Sequence, residues 1–157
     1  LTCTPVNLIF SYKPALKLRR PLGLYSFMYA SIHFAIFIGV DYFFDFQLIK
    51  DALFEKRYAL VGLSTGLILL ALAITSTQGW KRRLKGNWKR LHQLAYAAGV
   101  LAVLHFIWLV KQGVLEPWIW AGVVAFLLLI RIKPIKKWVS QKSRGLLHLG
   151  NRLVPGR

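Results

Sequence analysis

Acidic side chains are scarce in this chain: five Asp and Glu stand against 22 Lys and Arg in 157 residues. Cysteine is scarcer still. A single Cys3 excludes a disulfide framework and any multi-cysteine metal site, and reads as a small hydrophobe near a chain end. No G-x-G-x-x-G follows a strand pattern, and there is no P-loop, no serine–histidine–acid set and no pair of carboxylates at membrane depth. Hydrolytic and acid–base chemistry therefore have no candidates. Too little soluble sequence is present to build a flavin and nicotinamide domain. A charged n-region followed by a signal h-region is also missing. Residues 1–10, LTCTPVNLIF, carry no initiator Met and read as the exit end of an apolar segment that starts upstream.

Apolar content is what the chain has in excess. It is 56% hydrophobic and yet carries a formal charge of +17. Soluble domains of this length rarely combine the two, whereas long apolar runs punctuated by basic clusters describe a polytopic membrane protein. Crossing about 30 Å of hydrocarbon takes about 20 apolar residues in a helix. Leu22–Val40, Tyr58–Thr75 and Leu91–Val110 meet that need without one Lys, Arg, Asp or Glu. Trp118–Ile132 is shorter, and Arg131 and Lys133 can extend it by reaching towards the interface while their stems stay in lipid. Trp80, Trp88, Trp108, Trp118, Trp120 and Trp138 gather near span ends, as an interfacial belt does. Because backbone polar groups must be satisfied internally in lipid, the expected fold is an all-α membrane bundle of about four spans. Residues 1–136 form the membrane domain, and residues 137–157 a basic tail.

Charge sets the expected orientation. The segment before the first span, the loop KRRLKGNWKR and the tail after the fourth span hold eighteen of the basic residues and no acid. The other two loops hold four basic residues and all five acids. The positive-inside rule places the first group, with both ends of the chain, in the cytoplasm. This alternation also disposes of a nucleic-acid footprint, which would gather its charge on one soluble face or arm. Beside apolar spans, attraction to anionic lipid head groups accounts for the charge.

Histidines are the unusual residues within the spans, where ionisable side chains are expensive and usually functional. His33 lies in the first span, in YASIHFAIF; His92 and His105 bracket HQLAYAAGVLAVLH in the third. An isolated membrane histidine can simply hydrogen-bond a carbonyl or a serine on a neighbouring helix. Depth argues for more. On helices that run in the same direction, His33 lies about 17 Å beyond Leu22 and His105 about 21 Å beyond Leu91. At similar heights, two imidazoles can provide axial ligands to a haem iron in a bundle interior. His92 lies about 20 Å below His105 and can serve only a second haem. At that level the first helix offers Arg19, a poor iron ligand but a good partner for a haem propionate; a purely topological role for Arg19 and Arg20 is an equal reading. His148, in the basic tail, reads as a surface or interfacial residue.

Three stretches, RRPLGLYSFMYASIH, ITSTQGWKRRL and WKRLHQLAYAAGVLAVLHFIWLVK, resemble the MsrQ (YedZ) family. That family is the haem-binding membrane subunit of the periplasmic methionine sulfoxide reductase system, within the ferric-reductase-like transmembrane domains. The resemblance runs from about Leu1 to Lys136. It implies a b-type cytochrome of the bacterial inner membrane, with one or two haems, passing electrons outward to a periplasmic molybdopterin-dependent reductase that repairs oxidised methionines. It implies haem ligands at His33, His92 and His105, with Arg19 assisting the inner haem. It further implies FMN, and either the quinone pool or a cytoplasmic flavin reductase as donor, although no flavin motif is visible. Family members carry at least one more span ahead of TPVNLIF, and the tail beyond Lys136 is longer than the family pattern. The chain itself is expected to be an electron-transfer subunit with no bond-breaking site. Two other classes stand beside that reading: a stand-alone ferric or copper reductase, and a non-haem structural or transport protein.

Overall fold

The computed structural model describes residues 2–10, 13–110 and 113–132. Among them there is no strand, as the lack of alternating polarity in the sequence leads one to expect. Three helices are long and apolar enough to cross a membrane, and a shorter apolar one, Glu116–Leu129, follows them. The chain divides into two compact units, Leu1–Arg19 with Ala125–Arg157, and Arg20–Val124.

In the first unit, helix α1 (Cys3–Phe10) and a 3-10 turn at Lys13–Leu16 pack on one another. Cys3, Ala15 and Ile130 are buried there. Thr4 Oγ1 accepts hydrogen bonds from Arg19 Nη2 at 2.8 Å and Arg131 Nη2 at 2.6 Å. Arg131, expected to reach for the interface, is thus held by a hydroxyl. The basic tail, Lys133 and His148 included, lies outside the described residues.

Helix α2 (Arg19–Ile36) leads into a wider π-helical turn at Phe37–Asp41, so the first span ends close to the expected Val40. Helix α4 (Arg57–Ile74) matches the second expected span to within a residue. Between them the loop forms helix α3 (Phe46–Glu55), which sequence reading did not anticipate. Asp45 caps it: the carboxylate accepts from the amides of Gln47 at 2.9 Å and Leu48 at 3.1 Å. Ile49 and Ala52, three residues apart, are buried on the face that packs on α4. At the junction Lys56 Nζ donates to Tyr42 Oη at 3.0 Å, and this bond raises the lysine above its ordinary pKa.

The basic loop is likewise helical. Helix α5 (Gln78–His92) carries a break at Lys85, whose φ of 45° and ψ of −119° suit glycine better than lysine. Lys81 lies over the Trp88 ring at 5.5 Å and Arg83 over Trp80 at 5.6 Å, so the charges alternate with aromatic platforms. After Gln93, helix α6 (Leu94–Leu109) supplies the third span, and α7 (Glu116–Leu129) the shorter fourth. His92 therefore closes α5 instead of opening α6 as expected.

Among the described residues, helices α4 and α6 form the most extensive packing. Their buried residues are small: Ala59 and Thr65 on α4, Ala98 on α6. Small side chains let two backbones approach where lipid offers no hydrophobic reward for association. Large residues point away; Leu67 is 57% exposed and Val100 47%. Hydroxyls in the spans return their protons to carbonyls one turn earlier, as Ser31 does to Phe27 and Thr65 to Val61. Helix α2, by contrast, buries none of its residues and packs only lightly on its neighbours.

Candidate functional site

Two of the candidate histidines meet. The rings of His33 on α2 and His105 on α6 have centroids 6.2 Å apart and planes at 79°. Imidazoles from two different spans are thus brought within reach of one another. His33 makes no hydrogen bond to another described residue and is exposed on its lightly packed helix.

His105 is held from its other side. Its Nδ1 is 2.7 Å from the carbonyl of Tyr58 on α4 and, facing a carbonyl, must carry the proton. Nε2 then keeps its lone pair and has no hydrogen-bond partner among the described residues. Fixing the tautomer through a backbone carbonyl is the usual support for a metal-binding imidazole. It would serve equally for an imidazole that only joins two helices, and His33 is what separates the two. The ring lies over the turn Tyr58–Gly62: a Cβ at Gly62 would stand 2.8 Å from both Cε1 and Nδ1. Tyr58 also lines, with Arg57 and Trp108, an open cleft of about 320 Å³.

His92 has different company. Its Nε2 lies 3.3 Å from Thr75 Oγ1, at the end of α4. That hydroxyl donates to the Ala71 carbonyl at 2.6 Å, so His92 Nε2–H must be the donor to it. Trp88 stacks on the imidazole with centroids 4.1 Å apart and donates its indole N–H to the Thr75 carbonyl at 2.9 Å. His92 is consequently held in the opposite tautomer to His105, with one face covered. Arg19, the fourth candidate, belongs to the other unit and spends a donor on Thr4.

Sequence reading singled out the imidazoles and missed the groups that orient them. Tyr58 acts through its backbone, which no side-chain motif reveals. Gly62 gives no chemical signal. Thr75 and Trp88 did stand in quoted motifs, ITSTQGW and WKRLH, without a role. Among the described residues no group of three or more His, Cys, Asp or Glu is placed to hold a metal ion. The chemistry open to this site is that of two imidazoles and whatever they share.

Comparison with known proteins identifies the family of the chain. The family model of the ferric reductase like transmembrane component matches residues 2–103. The protein-methionine-sulfoxide reductase heme-binding subunit MsrQ of Xanthomonas euvesicatoria pv. vesicatoria is 47% identical over 128 residues, covering 82% of this chain and 59% of that protein. The subunit of the same name from Rhodospirillum rubrum is 42% identical over 135 residues, 85% of this chain and 65% of its own length. The chain thus spans about three fifths of the length of these curated relatives. No solved structure matches it. With a matched region that contains His33 and His92 and stops two residues short of His105, the chain belongs to the ferric-reductase-like transmembrane family.

Proposed function

We propose that this chain is the haem-binding, electron-transferring membrane subunit of a methionine sulfoxide reductase system, in which His33 and His105 would hold a b-type haem. The observation that carries the proposal is the spacing of the two rings. The rings of His33 and His105 come from two different spans and stand 6.2 Å apart, and His105 keeps Nε2 without a hydrogen-bond partner among the described residues. Two imidazoles cannot complete an iron coordination sphere, so the cofactor must bring its own equatorial ligands, as a porphyrin does. A flat group also needs helices that are parted, and α2 buries none of its residues.

When bound, haem supplies reversible one-electron exchange. The protein's part is to hold and orient it. His105 offers Nε2 because Tyr58 engages Nδ1, and His33 approaches from the facing helix. Apolar surfaces of the spans exclude water and competing ligands. Positive charge on α5 and before α2 sets the cytoplasmic side, and the histidine pair lies towards the opposite side. The electron acceptor in this reading is a periplasmic molybdopterin-dependent methionine sulfoxide reductase. The donor is a quinone or a cytoplasmic flavin reductase, with FMN as a second cofactor. The reading extends to a second haem at His92, whose Nε2 would then exchange Thr75 for the iron. The relatives, named as the heme-binding subunit of a protein-methionine-sulfoxide reductase, support the cofactor and the system.

The test is a dithionite-reduced-minus-oxidised spectrum of the purified full chain, with haem quantified per chain. A low-spin b-type spectrum with at least one haem per chain is expected. A colourless protein from haem-replete cells overturns the proposal in favour of histidines that merely join helices. Rapid oxidation of the reduced protein by ferric chelate, and not by the partner reductase, would identify a metal reductase instead.

A further inference from the structure

Helix α4 contributes no candidate ligand, yet it carries the groups that decide how His105 presents itself. Two glycines stand one turn apart on it, Gly62 and Gly66, in the sequence GLSTG. Such a pair on a membrane helix usually signals close helix packing, with both glycines in contact with the neighbour. Here they differ. A Cβ on Gly66 would meet nothing within 4 Å, whereas a Cβ on Gly62 would lie 2.8 Å from Cε1 and Nδ1 of His105 and 3.7 Å from its Cγ. Packing of the two helices does not require Gly62 to be bare. The imidazole does.

We infer that Gly62 is a positioning residue for the histidine pair: its missing Cβ admits the His105 ring onto the Tyr58–Gly62 turn, where Nδ1–H can reach the Tyr58 carbonyl and Nε2 is committed to the metal. Tyr58 and Gly62 are four residues apart on one helix, so the carbonyl that accepts from Nδ1 is the one the helix ladder assigns to the N–H of Gly62. A methyl at position 62 pushes the ring away from that carbonyl and breaks the 2.7 Å contact. Without it the imidazole is free to rotate and to exchange tautomers, and its plane relative to His33 is no longer set. The part of this inference that concerns the metal rests on the haem reading above; the part that concerns the tautomer does not.

The experiment compares wild type, Gly62→Ala and Gly66→Ala as full chains in detergent. In the haem-free protein, nitrogen NMR of ¹⁵N-histidine, with the His105 signals assigned by their loss in His105→Gln, reports the tautomer. Wild type and Gly66→Ala are expected to show the Nδ1–H form, and Gly62→Ala a mixture. In the haem-loaded protein, Gly62→Ala is expected to retain haem roughly 10–100-fold less tightly, the usual cost of losing an outer-sphere partner. Its remaining haem should show altered low-spin electron paramagnetic resonance g-values, while Gly66→Ala matches wild type. An Nε2–H tautomer in wild type overturns the inference even if Gly62→Ala fails to fold, and so does equal behaviour of the two alanine variants. A wild type that binds no haem but shows the Nδ1–H tautomer, lost only in Gly62→Ala, leaves Gly62 as the residue that positions His105 and sinks the haem reading alone.

Discussion

His105 and His92 sit thirteen residues apart, both tied to helix α4, and are tied in opposite ways. His105 gives its Nδ1 proton to a backbone carbonyl, has no hydrogen bond at Nε2 within the described structure, and faces a second imidazole. His92 gives its Nε2 proton to the Thr75 hydroxyl and has Trp88 laid against its face. One ring is presented and the other is tucked in. The difference shows that a histidine at membrane depth is not by itself a ligand; the nitrogen left over after the protein's own hydrogen bonds decides what it can hold. Ligation by His92 through Nε2 would require it to give up Thr75, and ligation through Nδ1 would require a different ring orientation from that of His105.

Breaking the presented half should have the largest effect. His33→Ala or His105→Ala is expected to abolish essentially all of the low-spin haem spectrum that the pair supports, read as the reduced-minus-oxidised difference with haem counted per chain. An unchanged low-spin spectrum in both variants would erase the distinction between the two histidines. His92→Ala sharpens it from the other side. Haem per chain should fall while the spectrum of the His33–His105 site persists, and equal haem in wild type and variant would remove the second haem from the reading.

Thr75→Val is a smaller change in the same region. It deletes the acceptor of His92 Nε2–H and the hydroxyl's bond to Ala71, at a cost of about 1 kcal/mol per hydrogen bond. Thermal unfolding should register the loss, and ¹⁵N-histidine signals should shift at His92 and not at His105. A shift at both would mean that the two ends of α4 are coupled. The smallest effect is expected from Asp45→Ala, far from either histidine in function. Loss of the α3 cap should lower stability by ~1 kcal/mol and leave the haem spectrum untouched. A changed spectrum there would show that α3 helps to set the site.

Much of the architecture was legible before any coordinates. The expected spans Leu22–Val40 and Tyr58–Thr75 differ from the observed helices by a few residues at the ends, where caps and turns decide. Helix α3 was missed although its signals were present: Asp45 as a cap, and Ile49, Ala52 and Leu53 at helical spacing. Its length of ten residues hid it inside what reads as a polar loop. Helix α5 was missed because a run of Lys and Arg reads as a charge signal first. Those residues are also good helix formers, and the segment contains no proline. Of the site, the imidazoles were legible as ionisable groups in apolar runs, whereas Tyr58, Gly62 and Thr75 were not legible as their partners.

Sequence alone determined which segments enter the bilayer and which side gathers the positive charge. It also determined how far along its apolar run each histidine lies, because suitability for hydrocarbon depends on composition and length, and distance along a helix follows from a fixed rise per residue. Tertiary structure decided that His33 and His105 face each other, which nitrogen each α4-tethered ring keeps, and why residue 62 bears no side chain. Those outcomes depend on how each helix is rotated about its own axis, and α6 is apolar on every side, so its sequence carries no mark of the face it turns inward.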